Sequence, residues 1–252
     1  HDGRGATTIH RIHATLSSAL SAAETLDLVD FNAAKKVQLP KVTKKKITIW
    51  EPATAKVFLA EVAKHRLGAL FELEVRTGLR RGEICGLRWS DVDLEARELI
   101  ARVQLIQLGG DVEETAIKTD AGQDRVVSLD DEAIGALMAW KMRQEIDRDK
   151  WGAAFVDSGR VFTYEDGSQL RPAHVSRVFD TVVERAELPD IRFHDLRHLH
   201  ASLLIAAGVP LAVISKRLGH STITVTVDLY GHLLRDANRQ AAEAASELLR
   251  AG

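Results

Sequence analysis

Sulfhydryl chemistry is nearly absent from this chain: its one cysteine, Cys85, excludes an internal disulfide framework and fits a reducing compartment. No apolar run approaches the ~18 residues that a membrane span requires, and the first residues lack the hydrophobic core of a signal peptide. There is no internal repeat and no extended low-complexity tract, so a repeat array is excluded. Net positive charge is missing too: 34 Lys and Arg against 36 Asp and Glu leave −2. That argues against a uniformly basic nucleic-acid binder, although phosphate contacts depend on local clusters rather than on an average. Tyrosine is scarce, with Tyr164 in an expected strand and Tyr230 near the carboxyl end.

What is present describes a globular protein. The 252 residues suffice for one large domain, or for one domain plus a fragment of another. A 45% hydrophobic and 28% charged composition fits a water-facing surface around a packed core. One stretch departs from the average. Between Phe31 and Trp50 lie Lys35, Lys36, Lys41, Lys44, Lys45 and Lys46, with no acidic residue among them. This is either a solvated linker or a strap that tracks a DNA backbone.

Apolar residues at Ile9, Ile12, Leu16 and Leu20 predict a helix over 9–23, which Asn32, Pro40 and the lysine run then break. The segment is too short to bury a core, so it reads as the end of a domain that begins before His1. Leu67 to Val75 is expected to be helical, with Gly78 as its stop, and a short helix is expected from Glu83 to Leu87. Strand formers follow at 99–105, 113–118 and 125–129, with turns at Gly109-Gly110-Asp111 and at 119–123. The simplest assembly is one small three-stranded antiparallel sheet. Helices are predicted at 131–147, 173–186, 194–207 and 211–218. The run Thr222 to Val227 alternates like a strand yet lies between helices, and local pattern leaves it open. Leu234, Ala237, Ala241, Ala244 and Leu248 predict a last amphipathic helix over 234–249. The fold class is therefore mainly α with a small antiparallel β-sheet.

Four short stretches carry the chemistry. His194 and Arg197, three apart at a helix start, share a face, and the helix amino end favours a bound phosphate. Arg80 follows the helix-ending Gly78 and precedes Glu83. Either Arg80 or Arg81 offers a planar fork to phosphate oxygens, and Glu83 is placed to orient it. Lys118, at the end of a strand, can swing to a leaving oxygen as a general acid. His220 can donate to a phosphate oxygen, or it is simply a loop histidine beside a capping serine. Tyr230 is either a buried phenol with a satisfied hydroxyl or a nucleophile.

Taken together, these stretches resemble the tyrosine recombinase (phage integrase) family. The string Thr77-Gly78-Leu79-Arg80-Arg81-Gly82-Glu83 through Leu87-Arg88-Trp89-Ser90-Asp91 looks like its first box. His194-Asp195-Leu196-Arg197-His198, Leu218-Gly219-His220 and Tyr230-Gly231-His232 look like its second. Ile117-Lys118-Thr119 with Arg125 is similar to its β-hairpin lysine region. The resemblance runs from about Trp50 to the carboxyl end.

The resemblance implies that Arg80, Lys118, His194, Arg197 and His220 form the phosphate site, with Tyr230 as nucleophile and Glu83 supporting. It selects Arg80 over Arg81 and a helix over a strand before Tyr230. It also implies the domain order: 1–40 the end of a helical core-binding domain, 41–52 a basic linker, and 53–252 the catalytic domain. Lys41, Lys44, Lys45 and Lys46 then become DNA-binding candidates. The expected activity is site-specific recombination through a 3′-phosphotyrosine, serving integration or excision of a phage or other mobile element. His194 would act as base and Lys118 as acid. No metal or nucleotide cofactor is implied. The expected partners are double-stranded DNA, further protomers in a DNA-bound synaptic tetramer, and an accessory directionality or host bending factor. No membrane partner is expected, and the setting would be the cytoplasm of a bacterium, at the nucleoid. The 234–249 helix would pack on a neighbouring protomer.

Three other readings compete. A type IB topoisomerase uses the same phosphotyrosine chemistry. A zinc hydrolase is suggested by His194 and His198, four apart on a helix, but a zincin places Glu after its first His, whereas Asp195 stands here. A non-catalytic DNA-binding protein on the same fold would not need the complete polar set.

Overall fold

A computed structural model describes residues 5–42, 48–117, 121–231 and Arg250. The chain divides into two compact units, residues 1–47 and 48–252. Lys44, Lys45, Lys46, Lys118 and the predicted 234–249 helix lie outside the described residues.

In the first unit, helix α1 (Ala6–Thr25) is followed by a single 3-10 turn at Ala33–Lys36. No residue of α1 is buried, so polar contacts do most of the holding. Asn32 donates to the Ser17 carbonyl at 2.8 Å and to Ser21 Oγ at 2.9 Å, and His13 Nε2 meets the Ala34 carbonyl at 2.8 Å. The helix ends at Thr25, ahead of Asn32, which caps the 3-10 turn and fastens the returning chain to the helix. Lys41 is exposed.

The second unit is mostly helical. Helices α2 (Pro52–Val62), α3 (Gly68–Thr77) and α4 (Arg81–Gly86) precede the strands, and α5 (Asp131–Trp151), α6 (Pro172–Arg185), α7 (Asp195–Ala206), α8 (Leu211–Leu218) and α9 (Ile223–Tyr230) follow them. Its core is aromatic: Phe58 of α2, Phe71 of α3, Phe179 of α6 and Phe193 pack edge-to-face or tilted, with Trp50 against them. Each buried phenylalanine contributes on the order of 1.5–3 kcal/mol by leaving water. The Trp50 indole N–H also donates to the Pro189 carbonyl at 2.8 Å. Helix α2 had no counterpart in the sequence pattern. Pro52 at its first turn starts it, and Phe58 and Val62 lock it to the core.

The sheet differs from the expected single three-stranded assembly. Strands β1 (Val92–Asp93), β2 (Glu98–Ala101) and β5 (Arg125–Ser128) form one antiparallel sheet, and β3 (Val103–Leu108) with β4 (Asp111–Ala116) forms a separate hairpin. The apolar run at 99–105 is interrupted at Arg102, whose guanidinium reaches Asp91 Oδ1 and Asp124 Oδ1, each at 2.9 Å. Partners change there: β2 pairs with β5 and β3 with β4, so 113–118 and 125–129 are not hairpin neighbours. Tyr164 stands in a turn beside an isolated Thr163–Gln169 bridge, not in a strand. The stretch before Tyr230 is the helix α9. Packing of its buried face decides against the local alternation.

Candidate active site

Two tight turns bring distant motif residues to one place. Helix α3 ends at Gly78, in the left-handed region at φ 63°. A Cβ there would come within 2.8 Å of His200 Cδ2 and 2.9 Å of Leu218 Cδ2, so only glycine lets the chain turn between α7 and α8. The turn sends Leu79 into the core and leaves Arg80 at the amino end of α4. Helix α4 then lies close on β3, where a Cβ at Gly82 would stand 2.7 Å from the Leu105 carbonyl oxygen. The second turn follows α8 at Gly219, which carries His220 out beside the first.

Arginine forks join the turns. Arg197 donates through Nη1 to the Gly78 carbonyl at 2.6 Å and through Nη2 to the Leu218 carbonyl. Arg80 Nη2 donates to the Gly219 carbonyl at 2.8 Å. A planar fork can bridge two acceptors that one ammonium cannot. Beneath them, Glu83 is 2% exposed and accepts from the Arg80 backbone N–H at 2.7 Å and Arg80 Nη1 at 2.6 Å. Arg125 donates to the same carboxylate at 3.0 and 2.5 Å. Burial alone would raise the Glu83 pKa, but the hydrogen bonds and charge of Arg125, with Arg80, bring it down to about 2. Glu83 therefore orients both arginines.

The cationic cluster acts on its neighbours. Burial, then the charges of Arg80 and Arg125, lower Arg197 to about 10, which still leaves it charged at neutral pH. Burial and the Arg197 and Arg80 charges push His220 down to about 4, so it is neutral, and its Nδ1 is hydrogen-bonded to Thr226 Oγ1 at 2.8 Å. His194 stands at the amino end of α7 with its ring partly open to water. Partial burial, then His198, Arg197 and Arg192, lower it toward about 4, an effect that water on its open edge weakens. Arg80, Arg81, Gln104, Gln107, Ser176 and His194 line an open groove of about 600 Å³.

Of the residues singled out in the sequence, Arg80 and Glu83 bond to each other, Arg197 and Arg80 share the framework through the carbonyls of the two turns, and His220 follows Gly219 with its ring held by Thr226. Tyr230 ends α9, 1% exposed, and its hydroxyl is hydrogen-bonded to His198 Nδ1 at 2.7 Å. Burial raises its pKa to about 12, against the opposing pull of Arg197. Lys118 lies outside the described residues. Arg125 and His198 are the residues that motif reading undervalued. Arg125 enters the motifs only beside the lysine region, and His198 only as the last residue of the second-box string and as one half of a metal pair. Their partners are 42 and 32 residues away. Among the described residues, no group of three or more His, Cys, Asp and Glu side chains is set to hold a metal ion.

A helical unit with small antiparallel sheets, carrying an arginine-rich site and a helix-borne tyrosine, defines a class, and comparison with known proteins places it. The phage integrase family profile matches residues 53–236, and the chain belongs to that family. It is 34% identical over 195 residues to a "Tyrosine recombinase XerC-like" protein of Caldanaerobacter subterraneus subsp. tengcongensis, covering 73% of this chain and 50% of that one. It is 29% identical over 244 residues to the ICEBs1 integrase of Bacillus subtilis, covering 96% and 66%. The chain thus spans between half and two thirds of the length of these curated relatives. In fold it is similar to the Tn1549 transposon integrase in complex with a circular intermediate DNA, with a TM-score of 0.81 and 24% identity over 96% of this chain and 81% of that one. A lambda integrase dimer bound to a COC′ core site gives a TM-score of 0.59 at 20% identity, covering 89% and 73%.

Proposed function

We propose that this chain is the catalytic part of a site-specific DNA recombinase that cuts and rejoins DNA through a 3′-phosphotyrosine at Tyr230. The observation that carries the reading is the bonded framework of Arg80 and Arg197 across the Gly78 and Gly219 turns, with His220 beside them. Attack on a phosphodiester builds charge on the non-bridging oxygens, and fixed guanidinium groups are suited to stabilise it without reorganising. Tyr230 attacks phosphorus, the bond to the 5′ oxygen breaks, and Lys118 supplies the proton to that oxygen. His194 at the helix amino end is a second phosphate donor or a base. The phosphotyrosine conserves bond energy, so the scheme calls for no nucleotide or metal.

The substrate in this reading is double-stranded DNA carrying the ends of a phage or other mobile element, and the working unit is a synaptic tetramer of this protein. An accessory bending or directionality factor would bias integration against excision, and the reaction would take place in the bacterial cytoplasm. Residues 1–40 are the end of a helical core-binding domain. The 41–52 stretch is the linker, and Lys41, Lys44, Lys45 and Lys46 follow the DNA backbone along it. The 234–249 segment docks on the next protomer.

Covalent trapping on a nicked duplex tests the proposal. A gel-shifted adduct that maps by mass spectrometry to the Tyr230 peptide, with a free 5′ hydroxyl on the DNA and no adduct from Tyr230→Phe, is the expected result. Relaxation of supercoils without any need for paired sites would favour the topoisomerase reading instead. Binding with no adduct would mark a non-catalytic DNA-binding protein.

A further inference from the structure

The Tyr230 hydroxyl does not meet the histidine that the motif pattern nominates as base. His198 Nδ1 lies 2.7 Å from Tyr230 Oη, the two rings pack at a 62° angle with centroids 5.7 Å apart, and both residues are buried. Among the described residues, His198 is the only titratable side chain hydrogen-bonded to that hydroxyl. His194 stands one turn earlier on the same helix, its ring edge-on to His198 with centroids 5.4 Å apart. His198 directly follows Arg197, so α7 supplies in consecutive residues a guanidinium of the site framework and the group that touches the nucleophile's oxygen.

We propose that His198 is a catalytic residue that positions the Tyr230 hydroxyl and accepts its proton during attack. This rests on the recombinase reading above. His198 carries its own proton on Nε2, so that Nδ1 accepts from the phenol. As Tyr230 Oη bonds to phosphorus, its proton passes to Nδ1. The electron pair of the breaking bond leaves on the 5′ oxygen, which takes up a proton in turn. Among the described residues, the charged and titratable groups around His198 are Asp195, Arg197 and Arg192 on and just before α7, His194 at the amino end of the same helix, His220 after α8, and Tyr230 on α9. Burial lowers the His198 pKa, with Asp195 opposing and Arg197 reinforcing, while burial raises Tyr230 to about 12. At rest, therefore, the phenol keeps its proton and the imidazole is neutral. Transfer becomes downhill only once bonding to phosphorus drains the oxygen of basicity, so the nucleophile is not discharged without DNA.

The test uses the full chain and a nicked duplex selected from a random-core library for covalent capture by the wild-type protein. His198→Asn keeps an acceptor near the Nδ1 position but cannot take a proton. With ¹³Cζ-labelled tyrosine the chain gives only two signals, and Tyr230→Phe assigns them. An unmoved Tyr230 resonance in His198→Asn would show that fold and placement survive. The expected result is a fall in adduct formation of ~10²–10⁴-fold in His198→Asn, with the acid limb of the wild-type pH profile gone, while His194→Asn keeps that limb. Adduct formation by His198→Asn within about threefold of wild type with the same acid limb would overturn the assignment, as would a limb lost in His194→Asn alone. A wild-type protein that yields no Tyr230 adduct would overturn the recombinase reading itself, and the His198 role with it.

Discussion

Glu83 and Arg125, 42 residues apart in the chain, form a two-pronged ion pair that solvent does not reach, with oxygen–nitrogen distances of 3.0 and 2.5 Å. Arg80 shares the same carboxylate, so one buried anion sets the direction of a motif arginine and ties α4 to β5. The pair is a foundation for the site as much as part of it.

Glu83→Gln should destabilise the protein by about 3–5 kcal/mol, because Arg125 would stay buried without its counter-charge. The carboxylate titrates near about 2 in the folded chain, below its ordinary 4.5. Its contribution is therefore complete above about pH 4.5 and is lost as pH falls toward 2. Urea melts of the wild type and Glu83→Gln across that window should converge at the acid end. Curves that stay parallel would sink the idea.

Gly78 and Gly109 share a left-handed backbone, at φ 63° and 61°, but not a setting. At Gly109 an added Cβ meets nothing within 4 Å, whereas at Gly78 it collides with His200 and Leu218. Gly109→Ala should cost only the backbone penalty of about 1–2 kcal/mol. Gly78→Ala should add a packing penalty of about 1–3 kcal/mol and disturb the Arg197 bridge. Equal melting temperatures for the two variants would contradict this.

Arg197→Lys keeps a charge but loses the fork that spans the Gly78 and Leu218 carbonyls. Adduct formation on nicked DNA should drop by roughly 10²–10³-fold, the scale seen when one preorganised donor is removed from a developing anion. A variant that cleaves at the wild-type rate would show that the bridge is dispensable.

Glu74 of α3 is 0% exposed, and neither carboxyl oxygen has a hydrogen-bond partner among the described residues. Burial raises its pKa well above 4.5, against the pull of Arg197, so the folded chain holds this proton to higher pH than an exposed carboxyl does. The stability associated with that proton is full below about pH 4.5 and declines as pH rises through the folded value. Glu74→Met, which fills the space without a polar group, should stabilise the protein by about 1–3 kcal/mol at pH 8, with the gap closing toward pH 4. A variant less stable than wild type at pH 8 would reveal an ionised, paired Glu74.

Much of the site was legible because it is written in short-range geometry. The three-residue step from His194 to Arg197, the stop at Gly78 and the Arg80–Glu83 spacing all follow from helix turns and caps, and the structure keeps each of them. The strand run at 99–105 was less legible: β-branched residues announce a strand but not its partner, and Arg102 divides the run between two sheets. Helix α9 shows the same limit, since Thr222 to Val227 alternates like a strand until packing buries Thr226 and Tyr230 on one side.

By itself, the amino-acid order determined which residue types the site would hold and which local turns would carry them, because backbone sterics and helix periodicity act over a few residues. Only the tertiary structure decided that Arg125 would share Glu83 with Arg80 and that His198 would meet the Tyr230 hydroxyl. Those pairings join residues 42 and 32 positions apart, and which side chains meet at such distances is set by how helices and strands pack. Burial, which comes only with packing, then holds Tyr230 protonated beside His198.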